Sequence, residues 1–352
     1  MKKNALVSIL AILLACCVVM GCASALADSQ KQRTLTVFNW FDYIDEDVIK
    51  MFEQETGIKV TYTNFTTNEE MFVKLEKSAG SYDVIFPSDY IIERMIKEDM
   101  LEELDMSKIP NAANLIDWCK SPDYDPEGKY SVAYMWGTVG ILYDPDQVDG
   151  EIDSWGALFD PQYKYGVFML DSIRDSFGVC LRYLGYSLND HSEEALDAVK
   201  DLLIQQKNDN IVAGYLVDET KDKMVAGEAA MAVMWSGDAM YAIEENENLR
   251  YVIPKEGSNI WIDGMCVLKN SQHKDEAMEF INFLCRPDIA AMNQEYISYC
   301  SPIQQVVDGY DEEQLNQPAL NPSAETMENC EFFHDITEFM ELYESRWMEV
   351  RA

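Results

Sequence analysis

Histidine and basic residues are scarce in this 352-residue sequence. It contains 3 histidines, and its 27 lysines and arginines stand against 63 aspartates and glutamates, which gives a formal net charge of -36. A charge of this size repels nucleic acids and anionic bilayers, so it argues against a nucleic-acid partner. His191, His273 and His334 are scattered and lack the spacing of a zinc site. We therefore expect neither a metal ion nor another cofactor.

Common enzyme signatures are also missing. The sequence has no G-x-S-x-G nucleophile elbow, no cysteine with a recognisable histidine motif, and no glycine-rich phosphate loop after its predicted strands. These absences favour a binding protein over an enzyme. One alternative from another class is kept, a secreted glycoside hydrolase, because paired carboxylates are abundant enough to serve such a reaction.

Long apolar runs are absent except near the N-terminus. Two lysines at the start precede an apolar stretch that ends at Val19-Met20-Gly21-Cys22, which is the layout of a secretory signal and resembles a bacterial lipobox. We predict a signal peptide with lipobox over 1–22, lipidation of Cys22, and a polar spacer over 23–33. Two alternatives for this leader stay open, a lipobox at Leu13-Leu14-Ala15-Cys16 and ordinary cleavage after Ala25-Leu26-Ala27.

Six cysteines follow the leader, and none forms a C-x-x-C pair. Most lie in apolar periodic segments, so buried free thiols are the first expectation. An exported protein could oxidise some of them, for example Cys300 with Cys330, and the sequence leaves that pairing open.

Strand and helix patterns alternate along the rest of the chain, which predicts an α/β fold. A long buried strand is predicted over 131–143, interrupted by Gly137 and Gly140, and a second α/β series follows it. Gly57 is predicted to end the helix before it, and Pro287 to stop another. The other main predicted strands are 35–38, 58–63, 82–86, 165–170 and 229–235, and the main predicted helices are 45–56, 67–77, 91–97, 176–184, 194–204 and 275–285.

Aromatic residues and carboxylates occur together at four predicted strand ends. An ammonium group that leaves water needs carboxylates for its charge, oxygens for its N–H donors, and ring faces for charge and methylenes alike. The repetition therefore predicts a site for a small organic cation, although each tryptophan alone is equally consistent with core packing. The segments are Trp40-Phe41-Asp42-Tyr43, Ser88-Asp89-Tyr90, Trp235-Ser236-Gly237-Asp238 and Trp261-Ile262-Asp263.

With further motifs, these segments resemble the spermidine/putrescine-binding components of bacterial ABC transporters, in the superfamily of type II periplasmic binding proteins. The resemblance covers nearly all of the mature chain. The additional motifs that carry it are Glu55-Thr56-Gly57-Ile58-Lys59-Val60, Tyr82-Asp83-Val84-Ile85, Tyr134-Met135-Trp136-Gly137-Thr138, Pro254-Lys255-Glu256-Gly257 and Arg286-Pro287-Asp288.

The resemblance implies two α/β lobes, each a mixed sheet flanked by helices, with the ligand in the cleft between them and closure by a hinge motion. We predict that lobe 1 comprises 34–138 plus 262–305 and that lobe 2 comprises 139–261 plus 306–352. It also implies an extracytoplasmic protein, monomeric, that binds a polyamine and delivers it to the permease subunits of an ABC importer. A sugar receptor of the same fold is the alternative within binding proteins.

The family's ligand contacts fall on eleven residues of this chain. By this resemblance, Asp263 binds an ammonium group inside the pocket, and Asp175 binds one from the second lobe. Asp42 and Asp238 match positions that carry acids in the putrescine-selective branch of the family, and this tilts the expectation slightly toward putrescine. The chain departs from the family pattern at the far end of the pocket, where Ser172 replaces an Asp of the spermidine-preferring branch, Asp175 replaces the usual Glu, and Phe333 replaces an expected Gln. The implied contacts are Trp40, Asp42, Tyr43, Ser88, Tyr90, Asp175, Trp235, Asp238, Trp261, Asp263 and Tyr299.

Overall fold

The computed structural model describes residues 32–78 and 80–352 of the chain. The predicted signal peptide and the lipidation site Cys22 lie outside these residues. In the described ranges, strands and helices alternate as the sequence predicts. The strands are β1 (Thr34–Trp40), β2 (Lys59–Phe65), β3 (Val84–Ile85), β4 (Ser131–Tyr143), β5 (Val167–Leu170), β6 (Val212–Leu216), β7 (Met231–Trp235), β8 (Arg250–Val252) and β9 (Ile260–Val267).

α-Helices lie in most of the intervals between these strands and follow the last strand, β9. None of those in the described ranges carries an apolar run that would span a bilayer. They are α1 (Glu46–Thr56), α2 (Asn68–Lys77), α3 (Asp89–Lys97), α4 (Ile173–Tyr183), α5 (Glu193–Asn208), α6 (Glu219–Val225), α7 (Ser236–Glu245), α8 (Lys274–Leu284), α9 (Pro287–Ile297), α10 (Gln304–Val307), α11 (Glu312–Leu315), α12 (Ala324–Met327) and α13 (Met340–Arg351).

Helix ends follow local sequence signals with two departures. Helix α1 ends at Gly57 in the left-handed conformation (φ 72°), as predicted. At the start of α2, Thr67 and Glu70 have the spacing that predicts a capping box. Thr67 accepts a hydrogen bond from the Glu70 N–H, but the Glu70 carboxylate binds the Thr66 hydroxyl, so the box is only half formed. Pro287 does more than stop α8, because its fixed φ and missing N–H suit the first position of α9.

One long strand serves both halves of the sheet. The first part of β4 pairs with β9, and from Val139 onward it pairs with β7 and β8. The full strand order is β2-β1-β3-β9-β4-β7-β5-β6, with β8 beside β4. Gly140 permits this arrangement, because a Cβ atom there would lie 2.4 Å from the Tyr251 ring and 2.5 Å from the Val252 carbonyl oxygen.

The hydrophobic interior divides at the same strand. Trp136 belongs to a core built around β1, β3 and β9, whereas Val139 belongs to a second core around Trp155 and Phe177. A smaller third cluster packs behind β7 and α7. Ile260 contributes to the first core, two residues before the predicted return of the chain to lobe 1. The predicted lobe bounds stay a prediction.

All six cysteines beyond the leader are free thiols in the structure. Five are buried and Cys330 is half-buried. The open pairing of Cys300 with Cys330 is therefore not formed, and burial raises the pKa of both thiols.

Candidate ligand-binding site

The best defined feature of the site is the carboxylate of Asp263, in the middle of β9. Ser88, the residue before α3, lies against this strand and donates a 2.7 Å hydrogen bond from its hydroxyl to Asp263 Oδ1. Tyr43, in the turn after β1, donates a 2.8 Å hydrogen bond to Oδ2. Two strand ends and a helix start thus converge on one acid.

Asp263 is 6% exposed, and both of these hydrogen-bond partners are neutral hydroxyl groups. Burial raises its pKa to about 6, while the bonds from Ser88 and Tyr43 oppose the rise. A buried carboxylate is costly to maintain without a counter-charge. The arrangement therefore provides strong attraction for a cation that enters from outside the protein.

Three aromatic rings stand beside this acid. The ring of Tyr299 meets that of Trp261 edge to face at 4.9 Å between centres, and that of Tyr43 at 6.0 Å. Two glycines make room for these rings. A Cβ atom on Gly137 would lie 2.6 Å from the Trp261 ring, and one on Gly237 would lie 2.5 Å from the Tyr299 ring. Because Gly237 opens α7, Tyr299 contacts the second half of the fold.

Trp40, the last residue of β1, has its polar side-chain group engaged within the protein. Its indole N–H donates a 2.8 Å hydrogen bond to the carbonyl oxygen of Phe86, and its ring packs at 4.6 Å from that of Phe65. Only the face of the indole is left for a ligand. Trp40 is half-buried, so it is neither a pure core residue nor a free surface ring.

Tyr90 is joined to the acid through neighbouring polar groups. The amide nitrogen of Asn68 donates to the Tyr90 hydroxyl at 3.0 Å and to the Ser88 hydroxyl at 3.1 Å. The Tyr90 hydroxyl in turn donates to the carboxylate of Glu69 at 3.2 Å. The first turns of α2 and α3 are thereby tied to the Asp263 carboxylate.

The second half of the fold contributes Asp175, in the first turn of α4. Ser172 caps this helix and donates a 2.7 Å hydrogen bond to the Asp175 carboxylate. Burial raises the pKa of Asp175, and hydrogen bonding from Ser172, the charge of Arg174 and hydrogen bonding from the Trp235 side chain oppose the rise. Asp175 and Trp235 therefore lie close to each other.

The structure does not join Asp42 and Asp238 to Asp263 in the same way. Asp42 is exposed, has a positive φ of 53°, and accepts a short hydrogen bond from the Tyr296 hydroxyl. Asp238 lies beside Tyr299 but pairs with the Lys221 ammonium at 3.6 Å. Both acids already have protein partners, so the slight expectation of putrescine receives no support from them.

Three polar residues of this region were not among the predicted contacts. Asn68 and Arg174 begin helices without any distinctive motif around them, so only the fold shows their position. Asp89 belongs to Ser88-Asp89-Tyr90, one of the four segments in which aromatic residues and carboxylates occur together, and this is the sequence feature that could have indicated it. It is 1% exposed, its Oδ2 has no hydrogen-bond partner in the described part of the chain, and burial raises its pKa well above the usual range.

The described residues do not form a recognisable metal-binding site. Across 32–78 and 80–352, no group of three or more histidine, cysteine, aspartate or glutamate side chains converges in a way that could hold a metal ion. The region offers the buried carboxylate of Asp263 with three aromatic rings beside it, and a second buried acid, Asp175, in the other half of the fold. Carboxylates and ring faces are the groups through which proteins bind organic cations.

Comparison with known proteins shows the family of this chain. A family model for bacterial extracellular solute-binding proteins matches residues 47–322. The spermidine/putrescine-binding periplasmic protein of Escherichia coli is 33% identical over 335 residues, covering 95% of this chain and 95% of that protein. The fold matches a spermidine/putrescine ABC transporter substrate-binding protein of Streptococcus pneumoniae with a TM-score of 0.82 and 35% identity, over 91% of this chain and 98% of that one.

A lipoprotein of Treponema pallidum is a further structural relative, with a TM-score of 0.81 and 26% identity over 90% of this chain and 99% of that one. The α/β architecture is thus that of the type II periplasmic binding proteins, as the sequence predicts. From the family match and these relatives, this chain belongs to the bacterial extracellular solute-binding proteins.

Proposed function

We propose that this chain is the substrate-binding protein of an ABC importer and that it captures a polyamine, putrescine or spermidine, for delivery to the membrane permease. The single observation that carries the proposal is the Asp263 carboxylate, which is buried, stands beside aromatic rings and, among the described residues, accepts side-chain hydrogen bonds only from two neutral hydroxyls. A linear amine supplies the positive charge that this acid requires, and its methylenes fit against ring faces.

Ligand contacts from both halves of the fold would couple binding to closure. Asp263 lies on a strand of the first core, whereas Asp175 lies on α4, which packs in the second core. A diamine that reaches both acids stabilises the arrangement in which they are close, so closure is the state that a permease would read. Binding and release suffice for this role, and no covalent step is needed.

Export and anchoring belong to the same proposal. The leader predicts secretion with lipid attachment at Cys22, and the relatives named above include a periplasmic protein and a lipoprotein. We place the mature protein outside the cytoplasm, at the outer face of the cell membrane or in the periplasm. Radiolabelled palmitate incorporation that is lost in Cys22→Ala would support this placement.

Isothermal titration calorimetry of the purified mature chain tests the proposal. Putrescine and spermidine are the ligands, and maltose is the matched neutral control. A sugar deserves inclusion because the Trp261 indole nitrogen is buried without an acceptor among the described residues, and a sugar hydroxyl could accept from it. Saturable heat with a polyamine and none with maltose is the expected result. Heat with maltose alone would reverse the assignment.

The glycoside hydrolase alternative has its own assay. Turnover of a chromogenic glycoside, abolished by Asp263→Asn, would show that the acid acts in catalysis. Our proposal expects no turnover from either protein.

A further inference from the structure

Tyr134 occupies an irregular position in β4, beside the strand that carries Asp263. On β9, Asp263 and Gly264 follow each other directly. Their partners on β4 are Met135 and Ala133, so Tyr134 is an extra residue between two paired ones. Such a β-bulge re-aims a side chain relative to the regular alternation of a strand, and bulges are over-represented next to active sites. This bulge lies directly opposite the acid of the proposed site.

The Tyr134 side chain supports the turn that follows β1. Its hydroxyl donates a 2.9 Å hydrogen bond to the Tyr43 carbonyl oxygen. Its ring meets the Tyr43 ring edge to face at 5.6 Å between centres, and the Phe86 ring at 4.8 Å. Tyr134 is 4% exposed, so both its hydroxyl and its ring act inside the protein. The backbone of Tyr43 is thus held from the side of β4.

A second buried side chain acts on the same carbonyl group. Asn39, which is fully buried in β1, donates from its amide nitrogen to the Tyr43 carbonyl oxygen at 3.2 Å. Its amide oxygen accepts from the Trp40 N–H at 2.8 Å. Asn39 therefore fixes the two ends of the turn relative to each other, whereas Tyr134 connects the turn to β4.

The turn held in this way presents the Tyr43 hydroxyl to Asp263. The distance from this hydroxyl to Asp263 Oδ2 is 2.8 Å, and the Tyr43 side chain is buried. A shift of the Tyr43 backbone moves the hydroxyl with the ring and weakens this hydrogen bond. A carboxylate that loses the bond rotates more freely and is harder to ionise, and both changes weaken its attraction for a cation. The contact of Tyr134 with Tyr43 thus extends to the acid.

We infer that Tyr134 is a positioning residue of the proposed site, which acts through Tyr43 to hold the Asp263 carboxylate in place for a cationic ligand. The inference rests on the proposed function and gives a role to the first residue of the Tyr134-Met135-Trp136-Gly137-Thr138 motif. A buried tyrosine hydroxyl usually finds a hydrogen-bond partner wherever it lies, so a purely structural role predicts lost stability with unchanged binding. The positioning role predicts that binding weakens as well.

Calorimetry with putrescine and with spermidine at pH 7.5 measures the effect of Tyr134→Phe, which removes the hydroxyl and keeps the ring. We expect the affinity to fall by about three- to tenfold, the size of one lost hydrogen bond. Tyr343→Phe is the matched control, because Tyr343 is also buried, packs in the second core, and donates from its hydroxyl to the Asp190 carbonyl oxygen at 2.7 Å. Both variants should melt at a lower temperature, but Tyr343→Phe should keep the affinity within about twofold.

A double-mutant cycle with Tyr43→Phe tests whether the effect passes through the Tyr43 hydroxyl. Once that hydroxyl is gone, adding Tyr134→Phe should change the affinity by less than about twofold. Unchanged affinity in Tyr134→Phe alone would overturn the inference. So would an equal loss with and without the Tyr43 hydroxyl, or a loss of the same size in Tyr343→Phe.

Circular dichroism melting establishes that each variant folds. If Tyr134→Phe does not, Asn39→Ala takes its place in the same cycle, because it removes the other donor to the Tyr43 carbonyl oxygen. A loss of affinity that disappears in the Tyr43→Phe background supports the inference, and a loss that persists there contradicts it.

These outcomes separate the two proposals. If the wild-type protein binds neither putrescine nor spermidine, the proposed function fails and this inference fails with it. If the wild-type protein binds a polyamine and the cycle shows no coupling between Tyr134 and Tyr43, only the inference about Tyr134 fails.

Discussion

Replacing Asp263 with asparagine removes the charge on which the proposed site depends and keeps the shape of the side chain. Its carboxylate is 6% exposed and accepts from the Ser88 and Tyr43 hydroxyls. Removing one partner of a buried ion pair costs about 3–5 kcal/mol, which corresponds to a loss of roughly 100- to 5,000-fold in affinity. The asparagine oxygen still accepts one ammonium N–H, so we expect the loss of affinity to lie at the lower end of this range, about 100-fold.

Trp40→Leu is the matched comparison. It removes a ring face that contributes about 0.5–2 kcal/mol, or roughly 2- to 30-fold in affinity. It also removes the 2.8 Å hydrogen bond to Phe86, so its melting temperature should fall. Asp263→Asn should not lower the melting temperature of the unliganded protein at pH 7, because it eliminates a buried charge.

Calorimetry with putrescine and spermidine, together with thermal melting of the unliganded variants, measures both effects. The reasoning is refuted if Trp40→Leu loses as much affinity as Asp263→Asn or more. A strongly lowered melting temperature for unliganded Asp263→Asn would instead show that the acid serves the fold.

Three further outcomes follow from the structure. Burial raises the pKa of Asp263 to about 6, so the unliganded protein holds a proton there until the pH exceeds that value, and at pH 5 polyamine affinity should be about tenfold weaker than at pH 7.5. Calorimetry at both pH values measures this change in affinity, and an equal loss of affinity at pH 5 in Asp263→Asn would rule out Asp263 as its source. Because the pKa of Asp263 in the folded protein lies above the usual value of 3.8, the contribution of this group to the free energy of unfolding is complete below about pH 4 and declines as the pH rises through 6. Gly237→Ala places a Cβ atom 2.5 Å from the Tyr299 ring and should weaken binding by roughly 5- to 150-fold, whereas Gly214→Ala, whose nearest contacts are 3.6 Å away, should leave the Kd within about twofold; equal effects in the two variants would refute a role for the Tyr299 contact. The six free thiols predict that mass spectrometry after alkylation in denaturant counts six modified cysteines in the protein without its leader, with or without prior reduction, and fewer than six without reduction would reveal a disulfide.

Regular structure was accessible from the sequence because its signals are local. The period of apolar residues and the glycine after α1 predict that helix and its end, and β4 is predicted with the bounds that the structure has. The pattern at Pro287 predicts the end of α8 but not the start of α9, because the same proline suits both positions. The half-formed capping box at Thr67 depends on a choice between two adjacent partners that a motif does not resolve.

The residues of the candidate site were indicated by resemblance to a family, because local sequence patterns do not show which distant residues meet. Asp263, Ser88 and Tyr43 were identified through resemblance, and their hydrogen bonds join them across more than 170 positions of sequence. No local pattern indicates such a separation. The partners of Asp42 and Asp238, a tyrosine hydroxyl and a lysine ammonium, likewise depend on the folded arrangement.

A crystal structure of the mature protein grown with putrescine tests the central claim most directly. The account predicts a diamine between the two halves of the fold, with one ammonium nitrogen about 2.7–2.9 Å from a carboxylate oxygen of Asp263 and the other end toward Asp175. A cleft in which the Asp263 carboxylate faces a lysine or arginine of the protein, with the diamine bound elsewhere or not at all, would contradict it.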